Sequence, residues 1–216
     1  MIDSFWAVMG RGGPVMWPLL GLSLVSVTLA FERLWFFTLQ NNPGQLARVR
    51  QMGRMLRDGD QEKTVALVEQ DESVYGAMLR RLLTEKHMND AGIVDAVESQ
   101  RRRLERFMPT LSTIITAAPM LGILGTVLGI IESFEVLSLN GTAADPSELS
   151  YGIAEALITT AAGLIVSLIS LFPYNAFRAQ GERTLSRMES LASAGMSSTN
   201  EVNAVAASEG DGASKS

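Results

Sequence analysis

FMPTLSTIITAAPMLGILGTVLGII, residues 107–131, contains no charged side chain. As a helix rising 1.5 Å per residue it extends about 37 Å, enough to cross a hydrocarbon core about 30 Å thick with some tilt. Two other stretches share this character. Residues 12–31 are uncharged and cover roughly 30 Å as a helix, and residues 149–177 are interrupted only by Glu155. The segments between these stretches are too charged to cross. The predicted fold class is therefore all-α: a polytopic membrane protein with three transmembrane helices, the second and third extended into the cytoplasm. The predicted organisation is a periplasmic N-terminus at 1–11, a first span at 12–37, a cytoplasmic helical segment at 38–106 and a second span at 107–137. A periplasmic loop at 138–148, a third span at 149–177, a cytoplasmic helix at 178–196 and a disordered tail at 197–216 complete it.

Composition narrows the function classes. The chain has 216 residues, 47% of them apolar, with a formal charge of -5, a single histidine and no cysteine. A disulfide scaffold is excluded and no structural zinc site can be assembled. The acidic balance argues against nucleic-acid binding, which needs a basic face. His87 lies in a charged segment and is assigned no role. The chain opens MIDSFWAVMGRGGP without a basic n-region, so the first span is expected to stay in the mature protein.

Arginine placement orients the spans. Arg48, Arg50, Arg54 and Arg57 follow the first span, Arg101, Arg102, Arg103 and Arg106 precede the second, and Arg178, Arg183 and Arg187 follow the third. These flanks are predicted to be cytoplasmic, with the N-terminus periplasmic. Trp17 and Trp35, about 27 Å apart along a helix, mark two interfaces, and Glu32 with Arg33 is expected to be a snorkelling interfacial pair.

Asn41-Asn42-Pro43-Gly44 predicts a turn after the first span. Val74, Met78 and Leu82 recur every four residues, and Ile93, Val97, Leu104 and Phe107 are expected to carry such a face straight into the second span. Leu185, Met188 and Leu191 form a narrow stripe beyond the third. Ser197–Ser216 has no apolar period and is expected to stay unordered.

Within the spans, Gly122, Gly125, Gly129 and Gly163 suit close helix packing, since lipid supplies no hydrophobic drive between helices. Glu155 is costly in a membrane, by about 2.5 to 3.5 kcal/mol at a span's centre. It is either a snorkelling acid at the outer boundary or a group facing protein or water. If Glu132 and Glu155 share a level, Thr126 lies about 9 Å below it and Thr160 about 7.5 Å, so the two hydroxyls share a layer. Offsets of seven add Pro119, Ser133 and Ser167 to weakly polar stripes. Such stripes either line a water path or bond to their own helices. Pro119 is expected to free a backbone carbonyl and kink the second helix.

The segment from Ala117 through Ile130, AAPMLGILGTVLGI, and the segment from Gly152 through Leu164, GIAEALITTAAGL, closely resemble the MotA/TolQ/ExbB proton-channel family, most of all its ExbB and TolQ branch. The resemblance implies an inner-membrane motor subunit, not an enzyme, that forms a homo-oligomer, expected to be a pentamer. That ring surrounds a single-span ExbD/TolR-like partner, works with a TonB-like or Tol-Pal component and contacts membrane lipids. It places Thr126, Glu155 and Thr160 in an ion pathway and leaves the essential aspartate to the partner. No cofactor, metal or catalytic residue is expected. A non-conducting oligomeric membrane scaffold is the alternative, because packing residues would serve it equally well.

Overall fold

Proline and glycine punctuate a chain that is otherwise helical. The computed structural model describes residues 12–58, 61–84, 90–140 and 146–213, with side chains over 12–58, 63–83, 90–135, 137–138 and 150–196. Among the described residues the elements are α1 (Met16–Gln40), α2 (Pro43–Arg57), α3 (Gln61–Glu69), α4 (Val74–Thr84), α5 (Asp90–Leu104), α6 (Met108–Asn140) and α7 (Pro146–Ala213). His87 and the N-terminal segment 1–11 lie outside them, as do residues 141–145 of the expected 138–148 loop, whose two ends are helical.

Three helices are long and apolar enough to cross a membrane: Met16–Gln40, Met108–Glu135 and a window within Ser150–Met196. These coincide with the expected spans, and the chain is a multi-pass membrane protein. The first begins later than residue 12, because Gly12 to Val15 form a turn in which Gly13 takes a φ of 63°. Glycine carries no Cβ penalty there.

By contacts the chain divides into two units, Met1–Arg33 with Phe107–Ala176, and Leu34–Arg106 with Phe177–Ser216. In the first, Val15, Met16, Leu19, Ile114, Ala118 and Val166 form a buried cluster drawn from all three spans. The outward faces are apolar and bare: Leu24, Phe31, Met120, Leu157 and Phe172 are all exposed. Surfaces of that kind suit lipid or another copy of the chain, not water.

In the second unit α4 packs on α5. The predicted face is buried, with Val74, Tyr75 and Met78 at 0% exposure and Ile93, Val97 and Leu104 against the same core. Arg81 bridges to Asp95 between the two helices at 2.7 Å. Local caps define the ends. Asn42 accepts from Gly44 N ahead of Pro43 at the start of α2, and Ser73 accepts from Gly76 N at the start of α4. The stripe of Leu185, Met188 and Leu191 is buried, and the missing Cβ of Gly53 would stand 3.1 Å from Leu191.

Three expectations need correction. The face of α5 does not run straight into the second span: α5 ends at Leu104, α6 starts at Met108, and Phe107 between them has a φ of 66°. Pro109 explains the break, since its ring would clash with the carbonyl four residues earlier in a continuous helix, whereas a helix's first turn tolerates it. Arg33 does not snorkel. It is 1% exposed and holds Glu32 in a bidentate pair, Nε to Oε2 at 2.5 Å and Nη2 to Oε1 at 2.7 Å, with its guanidinium 5.5 Å from the centre of the Phe107 ring. A buried guanidinium needs such a carboxylate. Finally, α7 is helical to Ala213, past Ser197 where an unordered tail is expected. Extending an existing helix avoids the cost of nucleation, and Ala204, Ala206 and Ala207 are strong helix formers.

Candidate functional site: a hydroxyl layer and a carboxylate cavity

The seam between α6 and α7 is built from positions where no side chain fits. A Cβ on Gly125 would collide with the Thr159 side chain, and one on Gly122 would stand 3.0 Å from Thr160 Cα. At Gly129 it would meet Ala156 Cβ at 2.9 Å, and at Gly163 the Ala118 carbonyl at 2.5 Å. Backbones this close let side-chain hydroxyls on one helix reach carbonyls of the other.

Two such reaches, and one contact between hydroxyls, tie the helices of the first unit together. Pro119 has no N–H, so the Ile115 carbonyl lacks its helical donor, and Ser167 on α7 donates to it at 2.7 Å. Thr160 Oγ1 donates to the Gly122 carbonyl at 2.9 Å. Ser26 and Ser170, both buried, meet at 2.6 Å between α1 and α7; since Ser170 donates to the Val166 carbonyl at 2.8 Å, Ser26 is the donor of the pair.

Thr126 and Thr160 come together as the depth estimate places them, their oxygens 3.3 Å apart. Thr126 donates to its own helix at the Ile123 carbonyl, 2.6 Å away. A hydroxyl has one proton, so with both donated to carbonyls the oxygens face each other through lone pairs. Rotation of either hydroxyl moves its proton from a carbonyl to its neighbour. Both threonines remain partly exposed on the single chain.

Glu155 sits five residues from Thr160 on α7, about 7.5 Å along the axis. It lines a cavity of about 390 Å³ together with Glu132, Ser133, Tyr151, Thr159 and the Gly12–Val15 turn. Its Oε1 lies 3.4 Å from where a Cβ of Gly13 would stand, an ordinary contact distance, so the turn packs directly against the carboxylate. Thr159, 1% exposed, donates to the Gly12 carbonyl at 2.9 Å and ties the turn down over Glu155.

The sequence missed Thr159 as a positioning group, although it adjoins Thr160 in the quoted segment. Ser26 and Ser170 were equally silent, because a lone serine in an apolar run looks like any small residue. Among the described residues no group of three or more His, Cys, Asp or Glu side chains could hold a metal. What the site offers is a carboxylate in a cavity and, one or two turns deeper, a pair of rotatable hydroxyls. Such groups can hold a proton, water or a small cation.

Comparison with known proteins agrees with that chemistry. A family model described as the MotA/TolQ/ExbB proton channel family matches residues 52–190. The chain belongs to this family. It is 35% identical to the putative biopolymer transport protein ExbB-like 1 of Synechocystis sp., over 81% of this chain and 69% of that protein. It is 28% identical to the biopolymer transport protein exbB1 of Vibrio cholerae, over 87% and 85%. To the Tol-Pal system protein TolQ of Pseudomonas aeruginosa it is 37% identical over 43% of this chain and 39% of that one. As an ExbB/TolQ-like member of a proton-channel family, the chain has a role in energy transduction at a membrane.

Proposed function

We propose that this chain is the ring-forming subunit of a motor driven by the proton-motive force in the bacterial inner membrane, with its N-terminus periplasmic and its C-terminus cytoplasmic. It encloses the single-span helices of an ExbD/TolR-like partner and converts ion flow into work on envelope or outer-membrane transport machinery; it is not an enzyme. The observation that carries this proposal is the Thr126–Thr160 contact on the same two helices as Glu155. Both threonines are only partly covered by their own chain, which leaves room for another helix or water to meet the lone pairs of their oxygens. Thr126, Glu155 and Thr160 are assigned to the ion path, and Gly122, Gly125, Gly129 and Gly163 to the packing that holds it in register.

Each elementary charge crossing the membrane releases about 2.3 kcal/mol per 100 mV, which can drive a mechanical cycle only through the partner. A non-conducting scaffold is favoured by a different observation: the hydroxyls of Thr126, Thr160 and Ser133 each already donate to a carbonyl. Proton flux into liposomes carrying the chain with its partner separates the two. Flux under an imposed potential supports the motor, and its absence from an intact complex overturns it.

A further inference from the structure

We propose that the cavity where the end of α1 meets the 180–187 stretch of α7 binds the headgroup of an anionic phospholipid of the inner leaflet. The cavity measures about 610 Å³ and lies wholly within the second unit. One wall is apolar. Leu34 and Leu39 stand exposed on the last turns of the membrane-crossing α1, and between them Phe37 is buried and stacked on Phe177 with ring centres 5.7 Å apart, a firm floor. The other wall is cationic. Arg183 and Arg187 are four residues apart on one face of α7 and both line the cavity, which has no described carboxylate in its lining.

No carboxylate among the described residues pairs with either. Among the described residues Arg183 has no hydrogen bond or ion pair, and Arg187 donates only to the neutral Asn41 Oδ1 at 3.2 Å. Arg81, Arg101 and Arg178, by contrast, find carboxylates in Asp95, Glu98 and Glu182. Two guanidiniums with no carboxylate partner among the described residues, beside an apolar wall that continues up a membrane span, match a molecule that is anionic at one end and apolar at the other. A free phosphate would use the arginines but leave Leu34 and Leu39 bare. An acidic protein segment would have to reach a wall that already lies in lipid. Arginine forks hold phosphate oxygens well, and cationic pockets at the cytoplasmic side of membrane helices attract anionic headgroups.

The inference rests on the proposed membrane orientation, and the test keeps the two apart. The full chain is reconstituted in nanodiscs of equal parts phosphatidylglycerol and phosphatidylcholine, and the lipid retained after gentle extraction is quantified. Wild type is expected to enrich phosphatidylglycerol on the order of tenfold, and Arg183→Gln with Arg187→Gln to fall within about twofold of the mixture. Arg50→Gln with Arg54→Gln, in the neighbouring groove along α2 that shares only Leu46 and Arg187 with this cavity, should keep the enrichment. No enrichment by wild type, or an equal loss in this control, overturns the site. Displacement by millimolar inorganic phosphate reassigns it to a free anion, and displacement by a polyglutamate peptide reassigns it to a protein partner; either overturns the lipid proposal. Should the double variant fail to fold, Arg183→Lys is expected to keep the enrichment that Arg183→Gln weakens, and equal behaviour of the two would refute it. Ser190→Cys reports orientation. If an impermeant maleimide labels it only after spheroplasts are lysed, missing enrichment sinks the lipid site alone; labelling from outside sinks both proposals.

Discussion

Thr160 and Thr126 each combine a shape that packs with an oxygen that bonds, and valine separates the two because it keeps the shape and removes the oxygen. Thr160→Val loses the bond to the Gly122 carbonyl, yet the close backbone approach at Gly122 remains. For Thr160→Val and Thr126→Val we expect an intact complex whose proton flux falls by tenfold or more, the equivalent of about 1.4 kcal/mol on the limiting step. Glu155→Gln, which preserves volume in the cavity shared with Glu132, is expected to show a similar loss. Partner co-purification and flux are measured for each variant; full flux in all three would remove these residues from the ion path, and loss of assembly in all three would make them structural. Gly125→Leu behaves differently. Even a Cβ there collides with Thr159, so the α6–α7 seam must open, at a cost of about 1–3 kcal/mol before the rest of the leucine is counted. Gly21, whose added Cβ meets nothing within 4 Å, is the control position, and Gly21→Leu should retain assembly by size-exclusion chromatography.

At the level of whole helices, Pro119 and Ser167 form a reciprocal pair. The proline leaves the Ile115 carbonyl without a helical donor, and the serine of α7 supplies one. Pro119→Ala restores an N–H to α6, after which Ser167 should matter less. A double-mutant cycle with Ser167→Ala is expected to give a coupling of about 0.5–1.5 kcal/mol in an unfolding assay in detergent micelles. A coupling near zero would mean that α6 satisfies Ile115 by another route. The break at Phe107 is the other decisive junction. A non-glycine residue in the left-handed region is strained, and Phe107 is retained there with its ring against the buried Arg33.

The three spans leave wide apolar faces bare, and the Thr126–Thr160 layer is only partly covered by its own chain. These faces need covering, and the proposed motor, by its family resemblance, is expected to cover them as a pentamer around a cavity that accepts a partner's helices. Native mass spectrometry from a mild detergent should return five copies, and monomers alone across several detergents would count against the ring. Co-expression with an ExbD/TolR-like protein should add partner chains to the same particle without displacing copies of this one.

Long runs with at most one charged residue were enough to determine the three spans, because a bilayer imposes one thickness and one chemistry on whatever crosses it. Apolar positions four apart in α4 and three apart in α7 beyond the membrane were likewise enough to determine their buried faces. Counting helical rise from Glu132 and Glu155 also placed Thr126 and Thr160 at one depth. Depth along a helix follows from residue number, but rotation about the axis and contact across helices do not. Only the tertiary structure therefore decided that the two hydroxyls lie 3.3 Å apart, that Ser167 answers Pro119, that Thr159 holds the Gly12 turn over Glu155, and that Arg33 is buried against Glu32 while Arg183 meets no counter-charge among the described residues.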